Sequence, residues 1–354
     1  MNVFSFLFQR LGVRRTIGGL MLPAFLLLRI WDPTPLETIR LQTFDFYQAL
    51  KPRVSKTRPV VIVDIDEDSL REIGQWPWPR VVVADLVAQL QKAGVLVTGF
   101  DVLFPEPDRM SPRIAADSFR ALDAETRDRL RALPGSDEIL AQAIRQSRVV
   151  LGQSGVIART TLDPNRPQTG FAVRGPDPSR FLVTFPGLLT NLPVLEDAAA
   201  GRGLFSIRPE RDGIVRRVPV IARAQDAMVP SLTLEMLRVV TGSSSILVRA
   251  NAAGLENVAV PQIDIPTDRN GQVWIHFGPH DRTRYVSAKD VLRGNVPDGR
   301  LAGKLALIGT SAVGLLDIKT TPVESTMPGV EVHAQLLESA LTPLLDKTKS
   351  SALL

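Results

Sequence analysis

Cysteine is absent from all 354 residues. Disulfides, thiol nucleophiles and thiolate metal sites are therefore excluded, while the redox compartment stays open, because an exported domain of this size does not need disulfides. Histidine is scarce. His276, His280 and His333 are the whole supply, and none stands at a convincing metal-ligand spacing with a third group. Basic residues are mostly arginines scattered among acids, with no Lys/Arg block and no basic stretch interleaved with aromatics. The formal net charge of +5 thus gives no support for a nucleic-acid partner. Long apolar runs are missing too. The best candidate, TIGGLMLPAFLLLRIW at 16–31, is shorter than the roughly 20 apolar residues of a full membrane span.

What is present suits a globular protein: 44% hydrophobic and 22% charged residues, enough for one large domain or two modest ones. Arg10, Arg14 and Arg15 precede the apolar stretch, and no acid does. Arg29 can snorkel and Trp31 suits an interfacial belt. No small-residue cleavage site follows, so the expectation is an uncleaved anchor over residues 1–31, with a cleaved signal peptide or a buried helix as alternatives. The basic flank places the N-terminus in the cytoplasm and everything from about Asp32 onward outside the bacterial inner membrane.

Residues 36–53 carry helical periodicity ended by Pro52, a juxtamembrane helix within 32–57. RPVVIVDID at 58–66 is a β-branched run that suits a strand buried on both faces. A helix starting at Pro79 with a Gly94 cap and the run VLVTGFDVLF complete a β-α-β unit over 58–104. Residues 110–146 read as charged helices, 148–153 as a strand, and 160–182 as an exposed loop within an insertion around 155–200. Strand signals return at 212–224, 271–277 and 304–312, with helices at 231–240 and 329–341. The expected fold class is α/β, a mostly parallel or mixed sheet flanked by helices and preceded by the N-terminal anchor helix. The sensory-sized body spans 58–341, and 342–354 is read as a tail.

The stretch VVIVDIDEDSLREIGQWPWPR at 60–80 holds most of the chemistry. Asp64 and Asp66 are two apart and should share one side of a strand's carboxyl end, with Asp101 closing the neighbouring strand. Ligands in open α/β sheets sit beyond those ends. Asp64, Asp66 and Asp101 can hold Mg²⁺ or Ca²⁺ through oxygen ligands, or a cationic or hydroxyl-bearing ligand. Against this stands an architectural use: Asp66 or Asp68 as a helix cap, and another acid paired with Arg80. Trp78 either covers the sheet end or walls a pocket, and Arg80 either clamps an anion or makes a structural ion pair. The turn Gly309–Gly314 lacks the Lys-Ser/Thr of a P-loop, but Thr310 and Asp317 stand at the same rim. His333 lies on an apolar helix face, as a core residue or a ligand. A strand ending in D-x-D also resembles the first motif of haloacid-dehalogenase-type phosphatases, with Asp64 as nucleophile and Asp66 as acid/base. Asp68 stands where that family has Thr or Val, and its later paired aspartates are missing. An EF-hand fails because Ser69 replaces the turn glycine.

Eight landmarks in order, namely TFDFYQALKPR, VVIVDIDEDSL, GQWPWPR, AGVLVTGFDVLFPEPD, GRGLFSIRPERDGIVRRVPV, VPSLTLEML, GKLALIGTSAVGLLDIKTTP and MPGVEVHAQLLESAL, give the chain from about Leu36 to Leu341 a resemblance to the CHASE type 2 domain. That family is the extracellular sensory input of bacterial cyclases and sensor kinases. The resemblance implies a membrane-anchored periplasmic sensor, no enzyme activity of its own and no cofactor. It implies partners in the inner membrane, in an unidentified small molecule or physical stimulus, in a homodimer by analogy, and in a cyclase or kinase output. No output motif follows Leu341, so this reading expects a truncated product, an excised piece of a receptor or a stand-alone sensor. A Mg²⁺-dependent phosphatase-like hydrolase and an inert remnant of a receptor remain the alternatives.

Overall fold

The computed structural model describes residues 13–351 apart from 32, 55–56, 162, 164 and 316. The chain divides into two compact units, 1–51 and 52–354.

The first unit consists, among the described residues, of two helices, Val13–Trp31 and Thr34–Leu50. Pro33 precedes the second helix and Pro52 follows its end, as proline spacing predicts. Leu22, Phe25, Leu26 and Leu27 are all exposed on the first helix. The membrane-spanning anchor is nevertheless not found: no helix among the described residues is long and apolar enough to cross a membrane. Pro23 and two adjacent glycines dilute the apolar run. Arg10 and the apolar residues 3–8 lie outside the described residues.

The second unit is built on a central sheet. Its strands in chain order are β1 (Val60–Ile65), β2 (Val97–Phe100), β3 (Val149–Val156), β4 (Gly187–Leu189), β5 (Gly201–Leu204), β6 (Tyr285–Ser287) and β7 (Leu305–Thr310). Their spatial order is β6-β1-β7-β2-β3, and β3 then pairs with both β4 and β5. All pairings are parallel except β3 with β4. β1 and β7 are aligned over six residues, from Val60 opposite Leu305 to Ile65 opposite Thr310.

The β-branched run of β1 is buried along its whole length because both faces of the sheet are covered. Val61, Val63 and Ile65 pack with helices Arg80–Lys92, Ser136–Arg145 and Ala288–Arg293. Val60 and Ile62 pack instead with Leu232–Val240 and the last helix, Gly329–Ser351. The helices end where the sequence marks them. Gly94 takes φ +80° after the first of these, and Ser231 Oγ accepts from Leu234 N at 3.1 Å. The mixed, mostly parallel α/β architecture with flanking helices is thus present.

Four local expectations change. β2 is not the neighbour of β1, because β7 inserts between them. The loop read at 160–182 contains the strand Gly170–Arg174, which pairs in parallel with Ser245–Asn251 at the edge of a four-stranded sheet completed by Gly254–Val260 and Ile263–Pro266. Its mostly exposed side chains conceal the alternation that would mark a strand. The strand at 271–277 shrinks to Gln272–Trp274. The last helix continues past Leu341 to Ser351 with Pro343 inside it.

Candidate functional site

β6, β1 and β7 run in the same direction, so their carboxyl ends open together into one crevice. A cavity of about 790 Å³ occupies it. β1 delivers Asp64 and, one residue past its end, Asp66. β7 delivers Thr310 and Ser311, and β6 delivers Tyr285 and Ser287. The register explains the match: Asp64 lies opposite Gly309 on one side and Ser287 on the other. Glu67, Asp68, His280, Arg282 and Asp317 complete the charged lining.

Asp64 is only 6% exposed. Its Oδ2 accepts from Ser311 Oγ at 2.6 Å, and its Oδ1 has no hydrogen-bond partner. Burial pushes its carboxyl up to about 6, against the pull of the Ser311 hydrogen bond and with the added repulsion of Asp66. Asp66 is occupied differently. Its Oδ1 accepts from Ser69 N at 2.8 Å, capping the helix Glu67–Ile73, and from Ser287 Oγ at 3.0 Å. The acid/base role that a phosphatase would require of Asp66 competes with this cap. Asp68 faces Arg71 and Lys289, and Asp317 pairs with Lys319.

Behind the cavity lies a buried charge network on the last helix. Glu331 is fully buried and receives five donors: Arg284 Nη1 at 3.0 Å, His280 Nδ1 at 2.6 Å, Tyr285 Oη at 2.7 Å, Asp281 N at 3.2 Å and Gln335 Nε2 at 3.5 Å. Arg284 also grips Glu338 with Nε and Nη2, both at 3.1 Å. Glu338 in turn accepts from Arg53 Nη2 at 2.8 Å. Burial works against the Arg284 charge, but Glu338 and Glu331 outweigh it and hold its pKa above the usual value. Burial, then the Glu331 charge, raises the Tyr285 phenol, so it stays a hydrogen-bond donor.

The model of the CHASE2 domain matches residues 20–353, nearly the whole chain. The chain belongs to the CHASE2 domain family. No curated protein and no solved structure matches it. CHASE2 domains are extracellular sensory domains, which agrees with the expectation from the eight ordered landmarks.

Within this CHASE2 domain the eight candidate residues separate. Asp64, Asp66, Thr310 and Asp317 meet at the cavity; Trp78, Arg80, Asp101 and His333 do not line it. Trp78 is a core residue whose Nε1 donates to Gly74 O at 2.8 Å, with its ring edge-on to Trp76 at 5.5 Å. Arg80 is buried against the Phe104 ring at 4.5 Å and pairs with Asp137 at 3.5 Å. Both therefore belong to the architecture of the sheet end. His333 donates Nε2–H to Phe205 O at 2.9 Å in the core. Burial lowers its pKa to about 4, so it is neutral there.

Asp101 is separated from Asp64 by the inserted β7. Burial, then the charge of Asp317, raises its carboxyl well above the ordinary range. The trio Asp64, Asp66 and Asp101 therefore does not form a cation site, and no group of three or more His, Asp or Glu among the described residues is arranged to hold a metal ion. Ser311 takes the place expected of Asp101. Sequence reasoning also misses Tyr285, His280, Arg284, Glu331 and Glu338. One signal for the last two is legible: Glu331, Gln335 and Glu338 recur at i, i+4 and i+7 in a stretch, 330–341, whose other positions are mostly apolar, a polar stripe on a core-facing element.

Proposed function

We propose that the chain is the extracytoplasmic signal-input domain of a bacterial receptor, held at the inner membrane by its N-terminal helix and regulating a cyclase or kinase output. The cavity at the carboxyl ends of β6, β1 and β7 is its sensory site. One observation carries this reading: the cavity wall is hydrogen-bonded to the last helix. His280 and Tyr285 line the cavity and both hold Glu331, while Arg284 ties Glu331 to Glu338 and Arg53. A ligand that shifts either ring changes the partners of a buried carboxylate on that helix. Such a charge cannot be left half-paired cheaply, so the helix has two discrete arrangements to choose between.

Arg53 stands three residues past the end of the helix Thr34–Leu50, at the N-terminal side of the second unit. The exposed Leu22, Phe25, Leu26 and Leu27 support association of the N-terminus with a bilayer. Reporter fusions test the placement. Alkaline phosphatase joined within residues 60–340 should be active, and a cytoplasmic location of these fusions would sink the reading.

A further inference from the structure

The chemistry of the ligand can be read from Asp64. The carboxylate is 6% exposed, lines the cavity, and leaves Oδ1 without a partner. A buried carboxylate oxygen with no donor is costly. Of the cations near the cavity, Lys289 and Arg71 are held by Asp68 and Lys319 by Asp317, which leaves Arg282 as the arginine on its lining. His280 Nδ1 is spent on Glu331. The lining therefore carries five acids, Asp64, Asp66, Glu67, Asp68 and Asp317, against Arg282 and His280. The rings of His280 and Tyr285, edge to face at 5.5 Å, supply an aromatic wall beside them.

The geometry points to a small organic cation with an N–H donor, a primary or secondary amine, as the ligand of this cavity, its ammonium group bonded to Asp64 Oδ1. This rests on the reading of the cavity as the sensory site. A metal ion does not suit the arrangement, since no three acids among the described residues are arranged to hold one, and an anion would meet the acidic rim. An ammonium completes the one open acceptor with a charge-assisted hydrogen bond. Its alkyl chain packs against the aromatic wall, where a cation is also favoured.

The experiment is isothermal titration calorimetry of the whole chain in mild detergent, with 1,4-diaminobutane as probe. Tetramethylammonium, which has the charge but no N–H, and sorbitol, which has donors but no charge, are the comparisons. The diamine should bind, and roughly tenfold more weakly or worse to Asp64→Asn, the loss of one charge-assisted bond. Ser311→Ala keeps the charge but frees Oδ2, and should retain binding; it guards against a folding defect in the Asn variant. Tetramethylammonium should bind more weakly than the diamine. Equal binding of the two cations, or diamine binding unchanged in Asp64→Asn, overturns the assignment, and so does absence of diamine binding in the millimolar range. Sorbitol binding that depends on Asp64 overturns the amine while leaving the cavity as the sensory site.

Discussion

Arg284 Nη1 donates to Glu331 Oε1 at 3.0 Å, and neither side chain is more than 4% exposed. Charges out of water are costly, and a well-packed apolar replacement of the whole set is often no worse for stability. Removing one member is different. Arg284→Met removes the cation shared by two buried carboxylates, leaving Glu331 to its four other donors and Glu338 to Arg53, and the expected cost is about 3–5 kcal/mol. Urea unfolding checks it. A loss below about 1 kcal/mol, the scale of an exposed pair, would show that the network is wet and cannot act as a switch.

Trp78 gives the contrasting case, an aromatic residue that holds the sheet end and does not line the cavity at the ends of β6, β1 and β7. It is 1% exposed and donates to Gly74 O. Trp78→Ala should cost about 3–5 kcal/mol, while ligand binding per folded molecule is unchanged. Calorimetric titration of the remaining folded protein tells the two effects apart; a change in affinity would return Trp78 to the site.

The difference between these residues marks where the sequence stops being legible. VVIVDI reads as a buried strand because the four β-branched residues Val60–Val63, with Ile65 beyond them, leave no solvent face, and Asp64 breaks the run near its end. The caps at Ser231 and Gly94 are equally visible, since each is a local rule about a few adjacent residues. Strand order is not local. The pairing of Val60–Ile65 with Leu305–Thr310 joins segments some 240 residues apart, and nothing in either run names the other. The sequence therefore sets Asp101 beside Asp64, and Ser311 goes unnoticed. Tyr285 lies in a three-residue strand too short to show a period. The buried charges of the last helix are legible only as a polar stripe, whose partners come mainly from loops, a single turn at Arg282–Arg284 and the short strand β6.

Gly309 is where that helix meets the sheet. A Cβ on this residue would lie 2.6 Å from Val330 Cβ, and a β-branched neighbour has little freedom to turn away. Gly309→Ala should thus push the helix off β7 and cost about 1–3 kcal/mol. Because Asp64 stands opposite Gly309, the same change should also weaken diamine binding. Val330→Ala keeps its Cβ but removes the Cγ contacts at 2.7 and 3.1 Å, so Gly309→Ala should cost less in the Val330→Ala background than in the parent, a partial rescue read by a double-mutant cycle. Failure of that rescue in thermal unfolding would mean that the strain lies elsewhere.

The pH dependence separates two buried groups of opposite sign. The His333 pKa falls from 6.5 in the unfolded chain to about 4 in the core, chiefly through burial. Between those values the unfolded chain takes up the proton first, so His333 lowers stability as pH falls, by at most about 1.4 kcal/mol per pH unit. The Asp64 pKa rises from 3.8 to about 6. Here the folded protein takes up the proton first, so Asp64 raises stability as pH falls through the same window. Asp101 and Asp137, also raised chiefly by burial, act with Asp64. The parent protein should therefore gain stability between about pH 6 and 4, because three buried acids act against the one histidine. His333→Gln should gain stability on acidification more steeply than the parent, and Asp64→Asn less steeply. Urea midpoints at half-unit steps of pH decide it. Parallel curves for the parent and both variants would mean that neither group changes its proton affinity on folding.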